Sequence, residues 1–251
     1  MIPDEQVVDV SQDWMLACDV QQRFMQGVRG AGSFLAYSGR CRQLRAIGGD
    51  CYDFMPLPDG RLAFVIGDAS GKGLAAALMI ANVQSSLRTA AMFTGNDLST
   101  LLRVVNHQAY TSSLEGHYAT VFYGIFDPAT RALHYVNAGH NPPVVLRLDR
   151  SIQWLDDGGA PVGMFQDSTY EEGIAQLYPG DLVLAYTDGV IEAANKSHEE
   201  WGIEGLLKSA ADCATQSEDT ADLVQSIFNS MDAFSAGDQS DDATLAVLRV
   251  R

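Results

Sequence analysis

The hydrophobic pattern changes period several times along the chain. Residues 7–25 carry Val7, Val10, Trp14, Ala17, Gln21 and Phe24 at alternating three- and four-residue steps, the spacing of one helical face. That stripe fits either a short coiled-coil seam or an amphipathic helix packed on its own domain. The glycine-rich segment 27–33 then marks a boundary. Residues 62–66, LAFVI, form a short apolar run rich in β-formers that drops into Gly67-Asp68, and so predict a buried strand. A helix is predicted over 73–92, with Leu74, Leu78, Ala81, Ser85 and Ala91 on its small and apolar face. A Gly95-Asn96 break and a second helix over 97–114 follow. Strands over 118–126 and 132–137 are joined by the turn Asp127-Pro128-Ala129-Thr130. A loop, 138–143, comes next. The turn at 178–181 opens a strand ending at Asp188. Helices are predicted over 203–214 and 220–234, with Asp219 as N-cap of the second. The strand 243–250 closes the chain. Two separated groups of helices with strands between them fit two packed sheets flanked by helices, an α/β chain.

The chain has 251 residues, of which 47% are apolar and 19% charged, enough for one sizeable core. Its net charge of −16, with three lysines in all, argues against a nucleic-acid partner, whose phosphates it would repel. The four cysteines, Cys18, Cys41, Cys51 and Cys213, show no CxxC pair or framework spacing, as expected of reduced thiols. The first ten residues include Asp4, Glu5 and Asp9, unlike a secretory leader. No apolar run approaches the ~20 residues that cross a bilayer. A soluble, cytoplasmic protein is the expectation.

The chemistry concentrates in residues 48–73, GGDCYDFMPLPDGRLAFVIGDASGKG, which hold Asp50, Asp53 and Asp68. Asp68 stands where a strand leaves its sheet, and Ala69, Ser70, Gly71 and Gly73 keep its surroundings open. The pattern recurs in DLVLAYTDG, residues 181–189, and in reverse where Asp241-Asp242 precede the last strand. A single Asp-Gly after a strand is ordinarily a turn. Three strand-end acids without a two-residue hairpin suggest one shared cation site. Carboxylate and carbonyl oxygens suit a hard divalent ion without His or Cys. The predicted helix 73–92 would aim its N-terminal dipole toward that site. GDASGKG lacks the spacing and the hydroxyl residue of a P-loop, and Ser70 is one position late for a GxSxG elbow.

GGDCYDF, GDASGKG with a helix after it, NAGHNPP (137–143), YTDGVIEA (186–193) and DDATLAVLRV (241–250) together resemble the SpoIIE/RsbU branch of the PPM metal-dependent protein serine/threonine phosphatases. The resemblance runs from about Tyr37 to Arg251. It implies a four-layer αββα sandwich of two antiparallel sheets flanked by helices. It divides the chain into a linker helix over 1–30, regulatory or dimer-forming, and a phosphatase domain over 31–251. It implies two Mn²⁺ or Mg²⁺ ions, with Asp68 bridging them and the Ala69 carbonyl on one. Asp188 and Asp241 would ligate the opposite ion, and Asp50 would act on the other through water. Asp68, Asp188 and Asp241 would be the catalytic carboxylates. Asp53, Ser70, His140 and Asp242 are supporting positions: Asp53 could cap its local turn, Asp242 could face solvent or a third ion, and His140 is equally readable as a structural hydrogen-bonder. Arg45, five positions before Asp50, either holds the substrate phosphate or is a solvated surface arginine. Two departures stand out. Ser70 occupies a position where eukaryotic relatives have a His, and Cys51 replaces a common aromatic. The implied substrate is a phosphoserine or phosphothreonine on a STAS-type anti-sigma-factor antagonist, within partner-switching regulation and with an activating partner or sensor. The competing readings are a catalytically silent docking module and a phosphatase of small phosphoesters.

Overall fold

The structure, a computed structural model, describes residues 10–24, 29–93, 95 and 97–251. Val7, residues 27–28 of the glycine-rich boundary and Asn96 of the loop break fall outside the described residues, as does the Val10 side chain. The elements, in order, are α1 (Val10–Phe24), β1 (Gly30–Ala31), β2 (Leu35–Arg42), β3 (Asp50–Pro56), β4 (Leu62–Ala69), α2 (Leu74–Ala91), α3 (Leu98–Ser112), β5 (Ala119–Asp127), β6 (Ala132–Ala138), β7 (Val144–Leu146), β8 (Ile152–Trp154), β9 (Gly158–Gly159), β10 (Gly173–Gln176), β11 (Leu182–Tyr186), α4 (Asp188–Ile191), α5 (Gly202–Ala214), α6 (Thr220–Ser235) and β12 (Ala243–Val250).

These strands make two sheets. One runs β1-β2-β12-β11-β7-β8, the other β10-β6-β5-β4-β3, with the two-residue β9 paired to β6. All pairings are antiparallel except β6 with β9. Strand periodicity then sorts the side chains. On β3, Tyr52 and Phe54 face the opposite sheet, as do Phe64 and Ile66 on β4, meeting Val183, Ala185, Ala246 and Leu248. The alternate residues, including Cys51, Met55, Ala63 and Val65, pack beneath α2 and α3. On the far side Leu182, Leu184, Leu245 and Val247 pack beneath α5 and α6. The layers are therefore helix, sheet, sheet, helix, as the resemblance implies.

The predicted helices and the strands β4, β5, β6, β11 and β12 form with small shifts in their ends. The sequence reading assigned no strand to β2 or β3, whose residues carry Arg, Ser, Asp and Cys among the apolar ones and so hide the alternation. The predicted face of α2 is rotated from the real one. Leu74 and Leu78 are exposed, and the buried residues are Ala76, Ala77, Met79, Ile80, Val83, Gln84, Leu87 and Ala91. The buried face is made by Ala76 and Ala77 together with the larger Met79, Ile80, Val83 and Leu87, and of the predicted face only Ala91 lies on it. Helix α1 packs through Cys18 and Ala17 against Ile47 and Ala77. Gln21 is buried there and donates from Nε2 to the Gly48 carbonyl at 2.7 Å, while its Oε1 accepts from the Gly48 N–H at 3.0 Å. Trp14 and Phe24, expected in the same stripe, are exposed. Among the described residues no helix is long and apolar enough to cross a membrane.

Asp53 points to the helical side of β3, where Arg88 of α2 donates to both its oxygens, from Nε to Oδ2 and, at 2.7 Å, from Nη2 to Oδ1. The carboxylate is buried and the guanidinium half-exposed. Removing the cation alone strands a charge under the helix, whereas removing both members relieves that cost. Arg88→Met should lower unfolding stability by about 2 kcal/mol. The double variant Asp53→Leu/Arg88→Met should recover most of it, as read from urea midpoints.

Candidate active site

The apolar interior between the sheets gives way to carboxylates at one end. Asp50, the first residue of β3, lies directly opposite Asp68 in the β3–β4 register. Both continue the even-numbered face that elsewhere carries Tyr52, Phe54, Phe64 and Ile66. From the opposing sheet, β11 ends just before Thr187, and β12 contributes Thr244. Thr187 Oγ1 and Thr244 Oγ1 both donate to Asp50 Oδ2, at 2.7 and 2.6 Å, and the Thr244 N–H donates to Thr187 Oγ1 at 2.9 Å. Asp50 thus ties one sheet to the other.

Asp188 opens α4, two residues beyond the strand end, and its Oδ1 accepts from the Gly189 N–H at 2.7 Å. The Asp-Gly pair is no hairpin turn. Gly189 is required because a Cβ there would lie 2.0 Å from the Asp242 carbonyl oxygen. Asp241 Oδ2 receives Lys72 Nζ at 2.6 Å, and Asp241 Oδ1 accepts from the Asp242 N–H at 2.9 Å. Asp242 turns the other way. Its oxygens accept from the Leu44 N–H at 2.7 Å and the Gly49 N–H at 2.9 Å, strapping the loop before β3 to the start of β12.

Burial and mutual repulsion govern the charges. Asp50 is almost wholly buried and its carboxyl sits well above the usual range, first through desolvation and then through the charge of Asp68. Asp68 is pushed up to about 7 by burial, then by Asp188, Asp241 and Asp242. Asp188 is raised by burial, then by Asp241, with the Gly189 N–H and Lys72 opposing. Glu192, just past α4, rises through burial and through Asp188 and Glu200. Among the described residues no three His, Cys, Asp or Glu side chains converge tightly enough to form a ready-made cation cage. The donors nonetheless suit a hard divalent ion, since they are all oxygens. A Cβ on Gly49 would stand 3.1 Å from the Ala69 carbonyl oxygen and 3.3 Å from Asp68 Oδ1. The glycine therefore leaves open a position that both oxygens border.

The remaining expected residues fall in three groups. Arg45 is exposed, and a Cβ on Gly73 would lie 3.8 Å from its Nη1, which sets the guanidinium at the N-terminus of α2 beside Lys72. Ser70 Oγ accepts from the Tyr118 N–H at 3.0 Å and its own N–H donates to the Tyr118 carbonyl at 2.8 Å. His140 is buried, with Nδ1 3.0 Å from Thr120 Oγ1, and Thr120 Oγ1 in turn donates to the Asp68 carbonyl at 3.3 Å. Burial lowers the His140 pKa to about 4, so the ring is neutral. Asn137 fixes its loop, accepting from the His140 N–H at 2.7 Å. Asp53 is separated from the cluster by the sheet and sits within β3, so it caps no turn. Cys51 packs under α2 and α3.

Thr187, Thr244, Lys72 and Glu192 were not singled out from the sequence. A threonine within two residues of an acid in both YTDG and DDAT was the available signal for the first two. Nothing local announced the reach of Lys72 to a residue 169 positions away.

Because folding raises the proton affinity of Asp68, the folded, chelator-treated chain holds a proton that the unfolded chain has lost above about pH 4. That contribution to stability is complete below the unfolded pKa and fades as pH rises through about 7. Wild-type stability in chelator should therefore drop between pH 5 and pH 8. Asp68→Asn should reduce that drop without abolishing it, since the raised Asp50 and Asp188 carboxyls contribute with the same sign, as followed by urea unfolding at both pH values.

A family model described as Stage II sporulation protein E (SpoIIE) matches residues 58–251. Protein IcfG of Synechocystis sp. is 30% identical over 194 residues, which is 66% of this chain and 30% of that protein. The phosphoserine phosphatase RsbU of Bacillus subtilis is 28% identical over 211 residues, 82% of this chain and 60% of RsbU. This chain thus spans 30% and 60% of the length of those two relatives. The solved structure of the RsbU and RsbW domains of Rv1364c from Mycobacterium tuberculosis superposes with a TM-score of 0.76 at 26% identity, covering 92% of this chain and 63% of that one. With the family model covering residues 58–251 and the helix-sheet-sheet-helix layering in common, the chain belongs to the SpoIIE family of PPM-type phosphatase domains.

Proposed function

We propose that the chain is a Mn²⁺- or Mg²⁺-dependent protein phosphatase that hydrolyses phosphoserine or phosphothreonine. The observation that carries this reading is the meeting of Asp50 and Asp68 across one register position, with Asp188 and Asp241 acting on the same carboxyl from the opposing sheet. Asp68 would serve both ions, with the Ala69 carbonyl and, through water, Asp50 holding one and Asp188 and Asp241 holding the other. Bound there, the ions would supply Lewis acidity, lowering the pKa of water and neutralising phosphate charge.

The chain's own groups then do the positioning. Thr187 and Thr244 hold one oxygen of Asp50, which fixes that carboxyl against Asp68. Asp242 spends its oxygens on the Leu44 and Gly49 N–H groups and so acts as a strap for the loop that leads into Asp50. Arg45, at the free N-terminus of α2, offers a planar fork to a phosphate. Ser70 keeps a backbone-tied hydroxyl where relatives have an imidazole, so the leaving alkoxide takes its proton from another source. Asp188, Asp241 and Asp68 are partly exposed, which suits a phosphorylated side chain presented by a folded protein better than a ligand that must be enclosed.

The finer reading follows the family. The substrate is a phosphorylated STAS-type anti-sigma-factor antagonist in a partner-switching pathway. Residues 31–251 form the catalytic domain, and the segment 1–30 links it to an activating partner or to a second copy.

Purified chain should hydrolyse p-nitrophenyl phosphate with Mn²⁺ or Mg²⁺ and lose that activity in EDTA. Asp68→Asn should reduce it by about two orders of magnitude or more while keeping a folded circular-dichroism spectrum. Faster release of phosphate from a phosphorylated STAS protein than from free phosphoserine would support the protein substrate, and equal rates would point to small phosphoesters. Mn²⁺ binding or turnover that Asp68→Asn leaves untouched would refute the site.

A further inference from the structure

The ion pair between Lys72 and Asp241 lies within the site yet has no part in the reading above. Lys72 sits between Gly71 and Gly73, whose φ angles of +88° and +79° are in the left-handed region that glycine tolerates. That double bend turns the loop after Asp68 back on itself. Lys72 thereby crosses from the β4 side of the site to the carboxylate that precedes β12, at 2.6 Å. Its side chain is half-exposed. The charged groups that face it are Asp241, Asp242, Asp188 and Glu192, with Arg45 opposing.

Both oxygens of Asp241 are engaged in this arrangement, Oδ2 by Lys72 and Oδ1 by the Asp242 N–H. A divalent ion binds carboxylate oxygen at roughly 2.0–2.6 Å. It cannot share Oδ2 with an ammonium at hydrogen-bond distance without strong like-charge repulsion. A lysine, unlike an arginine, is a point charge on a flexible four-carbon stem and can change partner by rotation alone. An anion bound at the N-terminus of α2 beside Arg45 would offer it a second partner.

Resting on the phosphatase reading, we propose that Lys72 exchanges partners during the reaction cycle. It neutralises Asp241 in the ion-free chain, releases that carboxylate when a divalent ion takes it, and then holds an oxygen of the substrate phosphate beside Arg45. Lys72 is thus both a tethered competitor for one ion position and a phosphate-binding residue.

The test uses the full chain and two titrations, Mn²⁺ by calorimetry and inorganic phosphate into the Mn²⁺-saturated protein. Lys72→Gln should bind Mn²⁺ about two- to fivefold more tightly, the scale of a lost exposed ion pair, and should bind phosphate more weakly by a similar factor. Arg45→Gln removes an equal charge without touching Asp241, so it should weaken phosphate binding with a much smaller effect on Mn²⁺. Lys72→Arg should restore phosphate binding. Unchanged Mn²⁺ affinity in Lys72→Gln, or equal tightening in Lys72→Gln and Arg45→Gln, would overturn the competition. Unchanged phosphate affinity in Lys72→Gln would overturn the exchange. If neither wild type nor Lys72→Gln bound Mn²⁺, the phosphatase reading itself would fall, and this inference with it.

Discussion

The bond on which the site depends is the one Asp50 makes across the sandwich. A buried carboxylate is costly unless its oxygens find donors. Here two threonine hydroxyls, one just past the end of β11 and one on the neighbouring β12, converge on the same oxygen. The geometry fixes three things together: the register of β3 on β4, the spacing of the two sheets at this end, and the side of the sheet on which Asp68 emerges. A slip of one residue in the β3–β4 pairing would carry Asp50 to the helical side, where Asp53 already has its arginine. Parity along β3 therefore gives two nearby aspartates unlike fates. One is a structural ion-pair member under a helix, and the other faces the site.

Around that bond the loops are packed without side-chain padding. A Cβ on Gly48 would stand 2.2 Å from Asp242 Oδ2, and Gly189 presses against the Asp242 backbone. The pair Asp241-Asp242 is divided by this crowding. Asp242 is turned into the protein to hold the backbone of residues 44 and 49, and Asp241 is left facing the site. The same loop receives Gln21 from α1 through Gly48. One polar side chain of the N-terminal helix is thus bonded to the backbone two residues before Asp50.

Much of this was legible in the sequence where one side chain carries one meaning. The run 62–66 has no polar interruption, so β4 and the strand-end position of Asp68 could be read directly. The five motifs identified the layers and the acids. What escaped depends on partners distant in sequence. Nothing in GGDCYDF says that Asp53 faces Arg88 while Asp50 faces Thr187 and Thr244, because that distinction exists only once β3 has a register and two neighbours. The face of α2 was misplaced for a related reason. Leucine normally marks the buried stripe, but here the stripe runs through Met79, Ile80, Val83 and Leu87 and leaves Leu74 and Leu78 outside. The stripe over α1 was half right, since Ala17 and Gln21 pack and Trp14 and Phe24 do not.

The distribution of hydrogen-bond donors among the five acids points to where a ligand belongs. Asp50 has two hydroxyls, Asp242 two backbone N–H groups, Asp188 the Gly189 N–H, and Asp241 both Lys72 and the Asp242 N–H. Among the described residues, no N–H or hydroxyl donor reaches the Asp68 carboxyl, and the residue directly opposite it in register is another acid, Asp50. Asp68 is also the group on which the charges of Asp188, Asp241 and Asp242 all act. A fold under selection for stability alone would place a donor beside such a carboxylate or replace it by an apolar residue. Instead the acid at the centre of the cluster is the one the chain compensates least. A cationic ligand coordinated by Asp68 would meet that deficit, and the demand falls on the position that the family reading makes the bridge.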